Sequence, residues 1–502
     1  MSLLGIDIGS GSCKGVVYTS EGHQLAKASQ AYTPVRTGIA VVEMDPIVFR
    51  DAVFGVILQL SGQVQNDPVE ALAISSHGET IIPVDDHGQA LGYAIMNSDN
   101  RAVEEAQWWE KTFGIERIYE ITGVPLHPMF SLNKIIWLKK NKPDLYAKTV
   151  KFLSVGDYLL MQMGFPALTD YSLASRTMAF DMRNRCWSQE ILDHCGIPLE
   201  KLAVPVASGS VAGKLGAALA QTLGLREGTI VALGGHDQPC GALGAGAIKN
   251  GDVFDSAGTY ECMAVVSDKP VNTAKALSFS LNSYCHVVPG KFVTLAFFPA
   301  GLVTTWFMEQ FCYEDKLSAL QSGSNLFDSM DDKVLKFCPH PTGLCITPHF
   351  VGSCTPSWDI RATGVMAGFT PGITRYHLYK GIFEGIACEL LLNTTAVEAV
   401  MGSFDSMRIA GGNARSVYTV QLRADITGKA FHILKNEEAV CLGAAILAGI
   451  AAGIYKDAAD AVKKVVQIEK TIQPDVAAQA TYEKQVNQYK TLYPSLEPFR
   501  KV

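Results

Sequence analysis

Two short stretches, half a chain apart, constrain this sequence more than any other feature. In Leu3-Leu4-Gly5-Ile6-Asp7-Ile8-Gly9-Ser10-Gly11-Ser12-Cys13-Lys14 an apolar run ends in an acidic residue. A Gly/Ser turn and a basic residue follow, and then a second apolar run, Val16-Val17-Tyr18. In Val253-Phe254-Asp255-Ser256-Ala257-Gly258-Thr259 an apolar run again ends in Asp and a Ser/Gly/Thr turn. Each reads as a β-hairpin whose tight turn offers backbone N–H groups and hydroxyls to a phosphate. Asp7 stands where a carboxylate can hold a metal ion against that phosphate, and Lys14 adds positive charge. Two such hairpins imply two related lobes closing on one nucleotide.

The length of 502 residues exceeds what one ordinary core supports, so two domains are expected, divided near 246–252 into 1–248 and 249–502. The net charge of −7 and the lack of any Lys/Arg-rich run argue against nucleic acid as a partner. The 12 Cys form no CxxC pair. They read as buried free thiols of a reducing, cytoplasmic setting, and no zinc site is expected. The N-terminus runs straight into a strand without a basic segment, so no signal peptide is expected. Residues 439–455, AVCLGAAILAGIAAGIY, are apolar but short for a membrane span and rich in Ala and Gly. Gly443, Ala444, Gly449 and Gly453 suit a buried helix packed closely on a sheet, and no membrane contact is expected.

Strands are expected over 3–8, 13–19 and 24–32, a helix over 46–61, and a strand over 71–75. That strand runs into Ser76-His77-Gly78-Glu79-Thr80. A second apolar segment, 93–96, runs into Asn97-Ser98-Asp99-Asn100-Arg101. Polar clusters directly after strands are where α/β proteins place ligands. Helices are expected over 102–113, 131–141 and 211–223, a strand over 229–233, the second hairpin over 251–266 and a strand over 407–410. The tail from about 456 reads as a peripheral charged helix.

No GxxxxGK[ST] loop, Rossmann GxGxxG or GxSxG elbow is present. Asp237, between His236 and Gln238 in a Gly-flanked loop, is either a turn residue or a general base for a substrate hydroxyl. Glycines beside it would let a backbone come close to a ligand. His77 and Glu79 are either solvated loop residues or substrate contacts. Asp99 and Arg101 are either a surface pair or a polar clamp on sugar hydroxyls. Gly411-Gly412-Asn413 is either a bare turn or a flat seat for adenine.

Together these residues resemble the FGGY carbohydrate kinases, of the actin-like ATPase superfold, over nearly the whole chain. The opening phosphate loop looks like Asp7 to Lys14. One family signature resembles 129–141, with Ser131, Lys134 and Trp137 at the expected spacing. A second resembles 364–384, ending in Glu384, with Gly381 and Phe369 departing from the usual Ala/Ser and aliphatic residues. The catalytic loop resembles 234–238, and the adenine-side turn resembles Gly411-Gly412-Asn413. The resemblance implies an α/β protein of two ribonuclease-H-like domains that phosphorylates a small sugar or polyol with ATP in the cleft between them. It implies Asp237 as base and Asp7 for Mg2+. It assigns Ser10, Gly11, Ser12, Lys14, Gly258 and Thr259 to the phosphates, and Gly411, Gly412 and Asn413 to adenine. His77, Glu79, Asp99, Arg101, Asp237 and Gln238 fall to the substrate. Glycerol kinases carry Arg-Glu where this chain has Gly78-Glu79, and aromatics at Asn97 and Met129. Their loss points to a wider, more polar site, for a ketopentose-like substrate of about four to six carbons. Rival readings are a glycerol or short-polyol kinase, an actin-like ATPase without a sugar, and a dinucleotide enzyme. The oligomeric state is open, a homodimer included.

Overall fold

The apolar runs around the first Gly/Ser turn form an antiparallel hairpin, Ser2–Ile8 against Ser12–Thr19, with Asp7 directly opposite Lys14. This computed structural model describes residues 1–38 and 40–499. The hairpin is the centre of a six-stranded sheet. Gln24–Ala31 extends one side, and Val69–Ser76, Ile230–His236 and Val211–Lys214 follow on the other. The step from Ser2–Ile8 to Val69–Ser76 and the step on to Ile230–His236 are both parallel.

The second half repeats this plan. Val253–Ala257 pairs antiparallel with Tyr260–Ser267, then Phe292–Pro299 and Asn282–Cys285 follow on that side. On the other side Ser406–Ala410 and Ala430–Leu434 are parallel, and Ile468–Ile472 closes the edge antiparallel. The chain is thus α/β, as expected, with two sheets that share a six-strand order, the second adding Asn282–Cys285 at its edge.

The outer face of the first sheet is covered by the helix Pro46–Gln63, whose N-cap Asp45 accepts from Ile47 N. The inner face is covered by a helix from the second half, Ala439–Ala451, through Cys441, Ala444, Ile446 and Leu447. This is the apolar run that could pass for a membrane span. Among the described residues no helix is long and apolar enough to cross a membrane. Its small residues permit close approach to more than a sheet. A Cβ on Gly5 would stand 1.8 Å from Cys441 O. One on Gly443 would stand 1.8 Å from Cys240 O, and one on Gly244 1.8 Å from Ala439 O. The helices Asp237–Gly244 and Ala439–Ala451 therefore cross backbone to backbone, each glycine making room for the other chain.

Two expectations change. Residues 211–223 are not one helix: Val211–Lys214 is an edge strand, and the helix runs Ala217–Leu223. The tail is more than a peripheral helix. Ile468–Ile472 extends the second sheet, and Val476–Ser495 buries Tyr482, Gln485 and Tyr489. Gln485 Nε2 donates to Glu384 at 2.8 Å, and Glu384 also accepts from Thr342 N. The second signature is thereby a structural latch beneath the long helix Arg375–Met401. All 12 cysteines are free thiols, nine of them buried.

Candidate active site

Asp237 is the first residue of its helix, directly after the strand Ile230–His236. The strand bulges between Leu233 and Gly235. Cβ atoms at Gly234 and Gly235 would stand 2.1 Å from Ile74 O and 2.4 Å from a Val287 methyl. The glycines therefore serve a close approach to neighbouring protein, not to a ligand as the sequence suggested. The bulge shifts the strand's register just before Asp237, and the helix N-terminus favours its negative charge. Asp237 Oδ1 lies 3.2 Å from His236 Nε2, out of line for a hydrogen bond, and is a buried acceptor without a partner. His236 Nδ1 is instead held by the Tyr284 hydroxyl at 2.8 Å. Burial, with the like charges of Asp7 and Glu79, pushes the Asp237 carboxyl up to about 8. An unsatisfied carboxylate with a raised pKa is the pattern of a group kept for chemistry. Beside it, Gln238 Oε1 is also buried and without a partner.

The first hairpin brings Asp7 within electrostatic reach of Asp237. Burial raises the Asp7 carboxyl to about 6 against the pull of Lys14. Ser10 and Gly11 are exposed at the hairpin tip, and Ser12 is half-buried. Tyr32 braces the turn from outside, its hydroxyl donating to Gly9 O at 2.6 Å and its N–H to Gly11 O. Lys14 reaches across to the other half, with Nζ 3.2 Å from Glu438 Oε2, and Lys27 takes the other oxygen at 2.5 Å. Any phosphate contact by Lys14 must exchange that partner.

Glu79 sits in the left-handed region, φ 63°, a costly conformation for a non-glycine residue. The first signature enforces it. Ser131 Oγ and Lys134 Nζ both donate to Glu79 O, at 3.1 and 3.0 Å, and Lys134 also donates to Met96 O at 2.7 Å. One buried ammonium thus ties the loop after Val69–Ser76 to the loop that contains Asp99. Burial holds Lys134 down to about 7. The Glu79 carboxylate accepts from Arg176 Nε at 2.5 Å.

The other loop residues are engaged internally. His77 Nδ1 meets Ile8 O at 3.0 Å and Nε2 meets Thr80 Oγ1 at 2.8 Å, so neither ring nitrogen is free for a substrate. Asp99 is fully buried. It accepts from Val42 N at 2.7 Å and from Arg101 through its backbone N–H, Nε and Nη2. Arg101 continues to Glu43 at 2.7 Å and lies 5.0 Å over the Trp137 ring. Asp99 and Arg101 form neither an open surface pair nor an open clamp. They brace the loop, and Asp99 has no acceptor to spare.

In the second half, Gly258 and Thr259 form the tip of the second hairpin, beside the turn Gly411–Asn413. Asn413 Nδ2 donates to Gly258 O at 3.3 Å. Gly411 has φ 110°, and a Cβ there would stand 2.7 Å from Ala257 O, whereas a Cβ on Gly412 would meet nothing within 4 Å. Gly412 opens on a cavity of about 520 Å³ lined by Asn325, Phe327, Asn413, Glu437 and Lys470 among others. That volume suits a small-molecule site. Asp255, the counterpart of Asp7, does not reach the cleft. It is fully buried, with both carboxylate oxygens unpartnered, beside Glu261, which Arg423 grips through Nε at 2.8 Å and Nη2 at 2.6 Å. Burial and Glu261 push Asp255 far above the carboxylate range.

Sequence reasoning missed Arg176, Asn282 and Tyr284. Asn282 and Tyr284 come from the second half, on the strand Asn282–Cys285, and reach the first half's site. Arg176 had a signal: it interrupts the small and apolar run 173–180, and an arginine there must be paired.

Comparison with known proteins agrees with this geometry. The N-terminal domain model of the FGGY family of carbohydrate kinases matches residues 2–244, and the C-terminal domain model matches 254–452. A gluconokinase of Bacillus subtilis is 26% identical over 467 residues, covering 92% of this chain and 90% of that protein. A xylulose kinase of the same organism is 25% identical over 494 residues, covering 98% and 96%. The crystal structure of a ligand-bound xylulose kinase from Lactobacillus acidophilus superposes with a TM-score of 0.87 at 24% identity, covering 99% of this chain and 98% of that one. With both family domains matched in order over most of its length, the chain belongs to the FGGY carbohydrate kinases, enzymes that transfer phosphoryl groups.

Proposed function

We propose that the protein transfers the γ-phosphoryl group of ATP to a hydroxyl of an uncharged, ketopentose-like sugar or polyol, with Asp237 as general base. The observation that carries this is the buried, unpartnered Asp237 Oδ1 at a strand-to-helix junction, within electrostatic reach of the Asp7 hairpin. Adenine fits the cavity beside Gly412, and the phosphates fall to the two hairpin tips at Ser10–Ser12 and Gly258–Thr259. Among the described residues no three His, Cys, Asp or Glu side chains converge on a metal position. Among the described residues the Asp7 carboxylate has no hydrogen-bond partner, and a Mg2+ ion commonly takes one or two carboxylates plus phosphate oxygens and water. Asp7 therefore fits as its protein ligand. The ion, when bound, would neutralise charge on the phosphates.

In the reaction the substrate hydroxyl gives its proton to Asp237 as its oxygen bonds the γ-phosphorus and the bond to the β-phosphate oxygen breaks, releasing ADP. Closure of the cleft excludes water and limits idle ATP hydrolysis. The xylulose kinase relatives support a ketose among the acceptors.

A coupled ADP-release screen across sugars and polyols tests the reading, together with Asp237→Asn. That variant keeps size but loses the proton acceptor, so kcat should fall by at least about a hundredfold while ATP binding persists. Near-normal turnover at saturating sugar removes Asp237 from the role. In the wild type the base must be ionised, so kcat/KM should rise with pH. Its acid limb should lie well above the ordinary carboxylate range. With Mg-ATP saturating it should sit below about 8, because a cation at Asp7 cancels one of the like charges that raise Asp237.

A further inference from the structure

Arg176 sits at the end of the short helix Tyr171–Ser175, and its side chain is 4% exposed. Its guanidinium lies 5.2 Å from the Phe130 ring and 5.0 Å from the Tyr284 ring, one from each half of the chain. Nε donates to Glu79 Oε1 at 2.5 Å, and Nη1 donates to Asn282 Oδ1 at 3.0 Å. Nη2 has no protein partner among the described residues, nor has Glu79 Oε2. The group is therefore locked in orientation by two rings and two hydrogen bonds, with one N–H edge and one carboxylate oxygen left over. Tyr284, whose ring faces the guanidinium, also holds His236 Nδ1 through its hydroxyl at 2.8 Å, and His236 Nε2 lies 3.2 Å from Asp237 Oδ1, so a short chain of contacts links Arg176 to the reacting carboxylate. Its stem also explains the bare position 78. A Cβ on Gly78 would stand 3.0 Å from Arg176 Cβ and Cγ and from His236 Cδ2.

We propose that Arg176 Nη2 and Glu79 Oε2 form a donor–acceptor pair that reads two neighbouring hydroxyls of an uncharged substrate, next to the hydroxyl that Asp237 deprotonates. One hydroxyl accepts from Arg176 and the other donates to Glu79. A vicinal diol satisfies both atoms, and an acceptor lacking either hydroxyl leaves a buried polar group unpaired. The electrostatics select against acids. Arg176 and Glu79 offset each other, Lys14 is paired by Glu438, and Lys134 is turned into two backbone carbonyls, which leaves Asp7 and Asp237 as the acidic groups at the site. A substrate carboxylate would enter an acidic cleft with no uncommitted cation. This inference rests on the kinase reading above and adds Arg176 and Asn282 as residues that set specificity.

The test measures sugar and ATP kinetics with D-xylulose, xylitol, glycerol and D-gluconate as probes. The wild type should use xylulose or xylitol at least about tenfold better in kcat/KM than gluconate. Arg176→Lys keeps charge but loses the planar fork. It should raise the sugar KM about tenfold or more, with the ATP KM within about twofold. Asn282→Ala, which frees the guanidinium and also drops the amide's donation to Ser280 O, should shift the sugar KM the same way by about threefold with the ATP KM unchanged, and it stands in should Arg176→Lys fail to fold. Unchanged sugar KM in a folded variant overturns the proposal, as does a preference for gluconate. Wild-type protein that binds ATP but turns over none of the sugars overturns the kinase reading and this one with it.

Discussion

The two halves share one strand order, yet their equivalent carboxylates have opposite fates. Asp7 and Asp255 occupy matching positions in the central hairpins. Asp237 and Glu438 both stand at the start of the helix that follows the matching parallel strand. In the first half neither carboxylate has a side-chain hydrogen-bond partner among the described residues, and burial raises both pKa values. In the second half Glu438 is paired by Lys14 and Lys27 and held below the usual range, while Asp255 is sealed beside the Glu261–Arg423 pair. The fold supplies two equivalent sets of positions. Pairing decides which set stays unpaired: Glu438 ties the two halves together through Lys14 and Lys27, and Asp255 is closed inside the second core.

The largest effect that tests this contrast is Asp7→Asn. If Asp7 holds the metal, loss of its charge should lower kcat by about a hundredfold or more, measured at saturating ATP and sugar. The fold should not suffer. An acid whose folded pKa is raised gives stability at low pH and loses it as pH climbs through about 6. At pH 8 the variant, freed of an ionised group the fold disfavours, should melt no lower than wild type. A variant that loses activity only because it unfolds would place Asp7 among the scaffold carboxylates.

Much of this division was legible in the sequence, because strand periodicity and the turns after Asp7 and Asp255 are local signals. The strands of the first hairpin lie within one residue of expectation, and Asp237 was visible as a polar residue just past an apolar run. What the sequence could not show was partnership. His77, Asp99 and Arg101 look like free loop groups in one dimension. Their partners, Ile8, Val42 and Glu43, lie dozens of residues away. For the same reason the run around Arg176 signals that the arginine is paired but not with what, since Glu79 and Asn282 lie 97 and 106 residues away. Asp255 looked like a second Asp7 because the residue that silences it, Glu261, depends on Arg423 at 162 residues' separation.

A smaller effect tests the nucleotide side of the second half. Gly411 and Gly412 are adjacent, but only Gly411 needs to be glycine for the backbone. Gly412→Leu should fold normally and project its side chain into the cavity proposed for adenine. We expect the ATP KM to rise by about tenfold with the sugar KM unchanged. A selective rise in the sugar KM would assign this turn to the acceptor and reverse the division between the halves.

The smallest expected effect bears most directly on the comparison. Asp255 is fully buried, and burial with the neighbouring Glu261 charge keeps its proton on. Asn is neutral and of the same shape, and its amide brings N–H donors that the neighbouring Glu261 can accept. Asp255→Asn should therefore leave kcat within about threefold of wild type and barely move the melting temperature, at pH 6 and at pH 8 alike. The same substitution at Asp7, in the matching hairpin position, is expected to abolish most turnover. Should Asp255→Asn prove as damaging to kcat as Asp7→Asn in a protein that still melts normally, the second carboxylate takes part in the chemistry. The halves would then differ in burial alone and not in role.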